Sequence, residues 1–208
     1  MFKNILYIHG IGSTGGGNTV TMLRKAFPNS NIDSPEIPTM PKEAFKFIRN
    51  IVKDNKYDFI IGTSLGGFYT MMISGIPKLL INPALHASTD IETAIGRGTH
   101  NYFNKRKSGE VTYTVDDVYI NELKELENRY YNNWKDSEYV TETRAIFGTK
   151  DELLNHINDY KNEFNKNNMR TAEFGHRMTS EVFNSVMIPY IEEIYKEVTN
   201  TNTNYIEL

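Results

Sequence analysis

An apolar run at residues 59–61 leads directly into the pattern Gly-x-Ser-x-Gly at residues 62–66. A second apolar stretch, residues 65–73, follows the serine. A serine placed in this pattern between a strand and a helix occupies a sharp, strained turn, and its hydroxyl stands clear of the sheet. Glycines flank such a turn because neighbouring backbone lies too close for a Cβ atom. The sequence therefore predicts a strand–turn–helix unit with Ser64 as a nucleophile.

Short apolar strands alternate with helical patterns along most of the chain. We predict strands at residues 5–8, 31–33, 58–61, 78–81, 144–147 and 169–174, and helices at residues 19–27, 42–53, 65–73, 151–164 and 180–198. Pro189 is expected to kink the last helix. This alternation predicts an α/β fold of three layers, α/β/α, with a mainly parallel sheet of about six strands.

One segment departs from the alternation. Residues 83–143 contain glycines, a basic run and a helical pattern at 118–131, and we predict that they form a cap or lid inserted into the domain. The length of 208 residues suits one domain, placed at residues 1–198. The polar residues 199–208 are expected to form a flexible tail.

The composition limits the classes of partner. A net charge of -3 and a pI of about 6.0 give no reason to expect binding to nucleic acid or to an anionic membrane. The absence of cysteine excludes thiol catalysis, cysteine-ligated zinc and disulfides. We expect a cytoplasmic protein that acts on a small molecule, and the oligomeric state stays open.

A serine hydroxyl needs a base beside it and an acid that orients the base. In enzymes with this turn, the acid and then the histidine follow the serine, each after a later strand. Asp151 follows the strand predicted at 144–147, and His176 follows the strand predicted at 169–174. We therefore predict a triad of Ser64, Asp151 and His176. Asp151 is also a candidate N-cap of its helix, and Glu152 is the substitute acid if Asp151 is only a cap.

Other residues are assigned to substrate and oxyanion binding. The backbone N–H groups of Leu65 and Ile11 are the predicted oxyanion donors. The side chains predicted to contact substrate are those of His9, Tyr102, Phe103 and Trp134. The basic run at residues 105–107 could meet a phosphate such as that of coenzyme A, although a solvated loop is the favoured interpretation.

We predict neither a metal nor a cofactor. His86 and His100 are expected to face solvent, and His156 is expected to be exposed within a helix. None of the histidines has a metal-binding spacing such as His-x-x-x-His.

The main alternative is a dinucleotide-binding oxidoreductase. Residues Gly10–Gly15 match Gly-x-Gly-x-x-Gly after a strand, and Asp33 lies about where a ribose-binding acid would be. His9 before the loop and two further glycines after it count against this interpretation, and it leaves Ser64, Asp151 and His176 unexplained. A second alternative is a catalytically silent protein that keeps the hydrolase fold for binding.

Five motifs together resemble one family. They are Leu6–Gly10, Gly62–Tyr69, Ile81–Ala84, Gly148–Glu152 and Gly175–His176. In this order they are similar to the small esterases of the YqiA type, in the α/β-hydrolase superfamily, and the similarity extends from residue 5 to about residue 195. The resemblance implies an α/β-hydrolase fold, the triad named above, and esterase or thioesterase activity on acyl substrates. In this chain Thr149 and Lys150 stand between the glycine and Asp151, where the family has Gly-Asp.

Overall fold

A computed structural model describes residues 1–130, 142–164 and 166–204. Six parallel strands form the central sheet in the order β2-β1-β3-β4-β7-β8, and β5 and β6 form a separate antiparallel pair. The predicted parallel sheet of six strands is thereby confirmed. The strands are β1 (Asn4–Ile8), β2 (Asn31–Asp33), β3 (Phe59–Thr63), β4 (Lys78–Ile81), β5 (Gly98–Asn101), β6 (Thr112–Val115), β7 (Thr143–Gly148) and β8 (Met169–Ala172).

Helices cover both faces of this sheet. They are α1 (Asn18–Ala26), α2 (Pro41–Asp54), α3 (Leu65–Met71), α4 (Ala87–Ala94), α5 (Asp117–Tyr130), α6 (Ile157–Glu163), α7 (Ser180–Val182) and α8 (Ile188–Asn204). A 3₁₀ turn at Lys166–Asn168 precedes β8, and a π-helical segment at Phe183–Met187 joins α7 to α8. Among the described helices, none combines the length and the apolar character that crossing a bilayer requires.

Two cores lie on opposite faces of the sheet, because successive strand residues point in opposite directions. In β1, Leu6 and Ile8 belong to one core, which includes apolar residues of α2, α3 and α5. Ile5 and Tyr7 belong to the other core, which includes apolar residues of α1 and α8. Strands buried on both faces need apolar residues at every position, and this explains the continuous apolar runs in the sequence.

The segment between β4 and β7 contains α4, the β5–β6 hairpin and α5. Buried residues of β6 and α5 join the first core, among them Tyr119 and Leu123. The carboxylate of Glu122 on α5 accepts the backbone N–H of Lys42 at the start of α2. The α5 helix therefore packs beside α2. The assignment of residues 83–143 as a cap stays a prediction.

In the basic run at 105–107, Lys105 and Lys107 are exposed, as a solvated loop predicts, whereas Arg106 is not. Arg106 is buried at 6% exposure, and its guanidinium pairs with Glu36 and donates to the carbonyl of Ile37. The same group lies 4.7 Å from the centre of the Tyr102 ring. These contacts of Arg106 hold its loop against residues 36–37, and its guanidinium is therefore not available to bind a phosphate.

Two helix boundaries differ from the prediction. The helix expected from Asp151 begins at Ile157, because the Asp151 carboxylate binds the backbone N–H groups of Leu153 and Leu154 and holds a local turn. Asp151 is therefore not the N-cap of that helix, a position that His156 occupies. The last helix continues to Asn204 and so includes part of the predicted flexible tail. Its change to π geometry at Phe183–Met187 comes just before Pro189, where we predicted a kink.

The close approach of α3 to β1 gives a first testable prediction. A Cβ atom added to Gly66 would lie 2.2 Å from the carbonyl oxygen of Ile8 and 2.6 Å from that of His9. We expect Gly66→Ala to lower the free energy of unfolding by about 1–3 kcal/mol in urea denaturation, because the backbone of β1 must move. Gly16→Ala is the control, since the nearest heavy atom there lies at 4.0 Å. Equal stability of the two variants would contradict the packing described here.

Candidate active site

Ser64 occupies a strained turn between β3 and α3. Its φ of 55° and ψ of -122° lie in a region that non-glycine residues rarely adopt. Backbone hydrogen bonds hold the turn: the N–H of Ser64 donates to the carbonyl of Ile81, and its own carbonyl accepts from the N–H groups of Phe68 and Ala84. The predicted strand–turn–helix unit is therefore present, with Ser64 at its apex.

His176 is oriented by a buried carboxylate. Its Nδ1 lies 2.9 Å from Oδ2 of Asp151, whose side chain is only 1% exposed. The other oxygen of Asp151 accepts the N–H groups of Leu153 and Leu154, each at 2.9 Å. These bonds fix the carboxylate and leave Nε2 as the ring nitrogen of His176 that is free for chemistry.

Glu152, the substitute acid, has a different contact. Its Oε2 accepts the backbone N–H of His176 at 3.1 Å. Asp151 therefore contacts the imidazole, whereas Glu152 positions the backbone of the same residue.

Ser64 and His176 line the same pocket, which has a volume of about 690 Å³. Many apolar residues of this pocket come from the region of α4 and from the loops after β7 and β8, among them Ile91, Ala94, Ile95, Leu153, Leu154 and Met178. Among the residues that the structure describes, no hydrogen bond joins the Ser64 hydroxyl to the His176 ring. In enzymes without bound substrate this bond is often long, and it tightens when substrate binds.

The predicted oxyanion donors lie beside the serine. Leu65 is the first residue of α3, where backbone N–H groups have no partner within the helix. Ile11 lines the pocket with Ser64. The loop that carries Ile11 lies close to Ser64, as Gly10 shows: a Cβ atom added to this glycine would lie 3.5 Å from Ser64 Oγ.

His9 contributes to the backbone around this loop. The N–H of Ile37 donates to its Nε2 at 3.1 Å, so the proton must reside on Nδ1, which lies 2.9 Å from the carbonyl of Gly10. Both ring nitrogens are thus occupied within the chain. Substrate contact by His9 stays a prediction, and its contacts indicate a role in holding the loop.

The three aromatic candidates have different positions. Phe103 lines the pocket with Ser64, and its ring lies 4.6 Å from the guanidinium carbon of Arg177. Tyr102 instead lines a smaller cavity beside His9, and its hydroxyl bonds to Thr39. Trp134 lies outside the described residues.

Asn82, to which the sequence pattern assigned no role, links the end of β7 to the loop after β8. Its amide oxygen accepts the N–H of Gly148 at 2.7 Å, and its amide nitrogen donates to the carbonyls of Gly175 and His176 at 3.1 and 3.2 Å. Asn82 is 1% exposed and has a φ of 42°. An asparagine at the end of a strand is the available signal, since asparagine tolerates a positive φ better than most residues.

His156 was predicted to be exposed and is instead buried, at 8% exposure. It lies at the N-terminus of α6 between the carboxylates of Asp90 and Asp159, at 2.9 and 2.8 Å. The periodicity of its segment suggested a helix that began earlier, and this error placed His156 on the exposed surface.

The glycine loop does not favour a dinucleotide site. Asp33, the candidate ribose ligand, accepts the hydroxyl of Tyr57. Gly15 packs against the backbone of Ser34, where a Cβ atom would lie 2.0 Å from the carbonyl oxygen, and α1 begins only at Asn18. Gly15, the third glycine of the pattern, therefore lies before the helix and packs against a neighbouring loop, whereas in a dinucleotide site the third glycine lies within the helix.

Comparison with protein families identifies the chain. Residues 4–176 match a family described as "Uncharacterised protein family (UPF0227)". The chain belongs to this family. It is the YqiA family, so the resemblance found in the sequence is confirmed. A UPF0227 protein from Vibrio atlanticus (strain LGP32) is 29% identical over 103 residues, which span 45% of this chain and 58% of that relative.

Solved structures with the same fold are α/β hydrolases. Alpha/beta hydrolase domain-containing protein 10 from mouse superposes with a TM-score of 0.63 at 17% identity, covering 94% of this UPF0227 chain and 90% of that chain. Est1E from Butyrivibrio proteoclasticus gives 0.63 at 13% identity, with coverages of 93% and 88%. A monoacylglycerol lipase from Paleococcus ferrophilus gives 0.60 at 13% identity, with coverages of 92% and 94%. At these identities the likeness shows the α/β-hydrolase fold.

The bonds of Asn82 give a second prediction. Asn82→Gly removes three buried hydrogen bonds without straining the positive φ, and we expect a loss of about 1–3 kcal/mol in the free energy of unfolding. Asn82→Ala should lose more, because alanine also adopts a positive φ unfavourably. Asn50→Ala, at an exposed position on α2, is the control. Wild-type stability of Asn82→Gly would contradict the role given to the amide.

The environment of His9 gives a third prediction, on pH. Burial lowers the pKa of His9 from its usual value of 6.5, and Arg106 adds to this effect, whereas the Gly10 carbonyl and Glu36 oppose it. Below about pH 6.5, His9 is therefore protonated in the unfolded chain more than in the folded chain. The free energy of unfolding consequently falls as the pH falls. We expect the stability difference between wild type and His9→Ala to shrink between about pH 7.5 and about pH 5. A difference that is constant over this range would contradict the neutral, buried imidazole.

Proposed function

We propose that this protein is a serine hydrolase that cleaves acyl esters or thioesters. The observation that carries the proposal is the His176–Asp151 pair, whose imidazole shares a pocket with the strained Ser64. A histidine held through Nδ1 by a buried carboxylate is suited to accept a proton at Nε2.

In the proposed reaction, Nε2 of His176 removes the proton from Ser64 as Oγ attacks the acyl carbonyl. The resulting oxyanion accepts hydrogen bonds from the N–H groups of Leu65 and Ile11. Collapse of the tetrahedral intermediate breaks the bond to the alcohol or thiol, which takes the proton from His176. Water activated by His176 then attacks the acyl-enzyme, and the carboxylic acid is released. Asp151 maintains the tautomer and stabilises the imidazolium throughout.

The pocket supports an acyl substrate with an apolar portion. Its volume of about 690 Å³ lies within the range of small-molecule sites, and apolar side chains of α4 line one side. Among proteins of the same fold, one is described as a monoacylglycerol lipase, and LipS and LipT are described as lipolytic enzymes. These descriptions support ester substrates here.

The fourth prediction tests the nucleophile and its base. Purified protein is assayed with p-nitrophenyl esters and acyl thioesters of increasing chain length. We expect Ser64→Ala and His176→Ala to abolish turnover while circular dichroism stays that of the wild type. His100→Ala, on β5 outside the pocket, is the control and should keep full activity. Full activity of a folded Ser64→Ala variant would exclude the proposal.

A pair of variants distinguishes the two neighbouring acids. Asp151→Asn should lower kcat by about 10⁴-fold, because the amide favours the wrong imidazole tautomer. Glu152→Gln should cost only about tenfold, the equivalent of one weakened hydrogen bond to the backbone of His176. The reverse order of losses would assign the acid to Glu152. A folded protein that turns over no ester or thioester would instead favour the silent binding protein.

A further inference from the structure

Two helices begin close together with the same arrangement of side chains. His86 precedes α4 and His156 precedes α6, and each helix has an aspartate in its first turn, Asp90 and Asp159 respectively. The two imidazole rings lie 5.3 Å apart, centre to centre, at an angle of 77°. The fold therefore unites two histidines that are far apart in sequence.

Asp90 contacts both histidines from the buried side, the ring of His156 and the backbone of His86. Its carboxylate lies 2.9 Å from Nε2 of His156 and accepts the backbone N–H of His86 at 3.0 Å. Because a carboxylate accepts, Nε2 of His156 carries the proton, and Nδ1 points away from Asp90. A buried carboxylate that binds the second nitrogen of a histidine is the usual outer partner of a metal-ligating imidazole.

The remaining nitrogen and oxygen atoms that could bind a metal lie close to one another. Nδ1 of His156 lies 2.8 Å from Oδ2 of Asp159, and Nε2 of His86 lies 3.8 Å from the same oxygen. A protonated Nδ1 would donate a hydrogen bond to this oxygen, and in the neutral imidazole, whose Nε2–H points to Asp90, a divalent ion can take the place of that proton. One ligand atom from each of His86, His156 and Asp159 lies within 4.8 Å of the other two.

The spacing of these atoms fits a small divalent ion. Zinc binds histidine nitrogen and carboxylate oxygen at about 2.0–2.2 Å, so tetrahedral ligands lie about 3.3 Å apart. The distances from Oδ2 of Asp159 to Nδ1 of His156, 2.8 Å, and to Nε2 of His86, 3.8 Å, lie on either side of this value. The side chains of His86 and Asp159 are each 44% exposed, which gives the ion a path from solvent and leaves a fourth position for water.

We propose that His86, His156 and Asp159 bind one Zn²⁺ ion, with Asp90 orienting the ligands. The ion would join the start of α4 to the start of α6. Asp90 and Leu154, on either side of this junction, both line the pocket with Ser64, so the ion would hold one wall of that pocket in place. The prediction that no metal binds considered only spacing along the sequence, which cannot reveal a pair of histidines brought together by the fold.

The test is zinc binding by protein without a polyhistidine tag. The chain is dialysed against a chelator, and ZnCl₂ is then titrated at about pH 7.5, where the histidines can release their protons to a metal. Isothermal titration calorimetry should show one Zn²⁺ per chain, and the thermal midpoint should rise with added Zn²⁺, since the ion binds the folded state. Neither readout depends on hydrolase activity.

Variants separate this site from adventitious binding. His86→Ala and Asp159→Asn, at partly exposed positions, should weaken binding at least about tenfold, and Asp90→Asn should weaken it about 10–100-fold through the orientation of His156. His100→Ala is the matched control and should bind Zn²⁺ as the wild type does. Affinity for Zn²⁺ that is equal in folded His86→Ala and His100→Ala would overturn the proposal. Absence of stoichiometric binding in the wild type would also overturn it and would leave a protonated His156 as the cation of the cluster.

Discussion

The turn at Ser64 is the constraint on which the rest of the active site depends. Its backbone is strained, and hydrogen bonds offset the strain: its carbonyl accepts from the N–H groups of Phe68 and Ala84, and its own N–H donates to the carbonyl of Ile81. The turn also requires α3 to press against β1, where Gly66 lies against the carbonyl of Ile8. The same approach brings the loop after β1 beside the serine. The geometry of the proposed nucleophile and that of the proposed oxyanion loop therefore arise from one packing contact.

The acid and the histidine reach this turn because parallel strands end at a common edge of the sheet. Asp151 and His176 follow the neighbouring strands β7 and β8, and Asn82 follows β4, which pairs with β7. Three hydrogen bonds from one buried amide connect the loop after β7 to the loop after β8. A single polar side chain thus sets the relative position of the carboxylate and the imidazole.

Much of this fold could be predicted from the sequence because strands buried on both faces leave continuous apolar runs. The order of Ser64, Asp151 and His176 after successive strands also indicated which side chains would share one edge. Local hydrogen bonds were harder to foresee: those of Asp151 with Leu153 and Leu154 delay the start of α6, and periodicity alone does not reveal them. The surroundings of His9 and His156 depend on residues distant in sequence, so their burial could not be predicted.

Whether Ser64 is an activated nucleophile is tested by covalent labelling with a fluorophosphonate probe. Such a probe reacts with a serine hydroxyl only where a base removes its proton and an oxyanion is stabilised. The adduct is mapped by mass spectrometry of the digested protein. We expect stoichiometric labelling of Ser64 that is lost in the His176→Ala variant. A folded wild-type protein that stays unlabelled, or that is labelled at another serine, would contradict it.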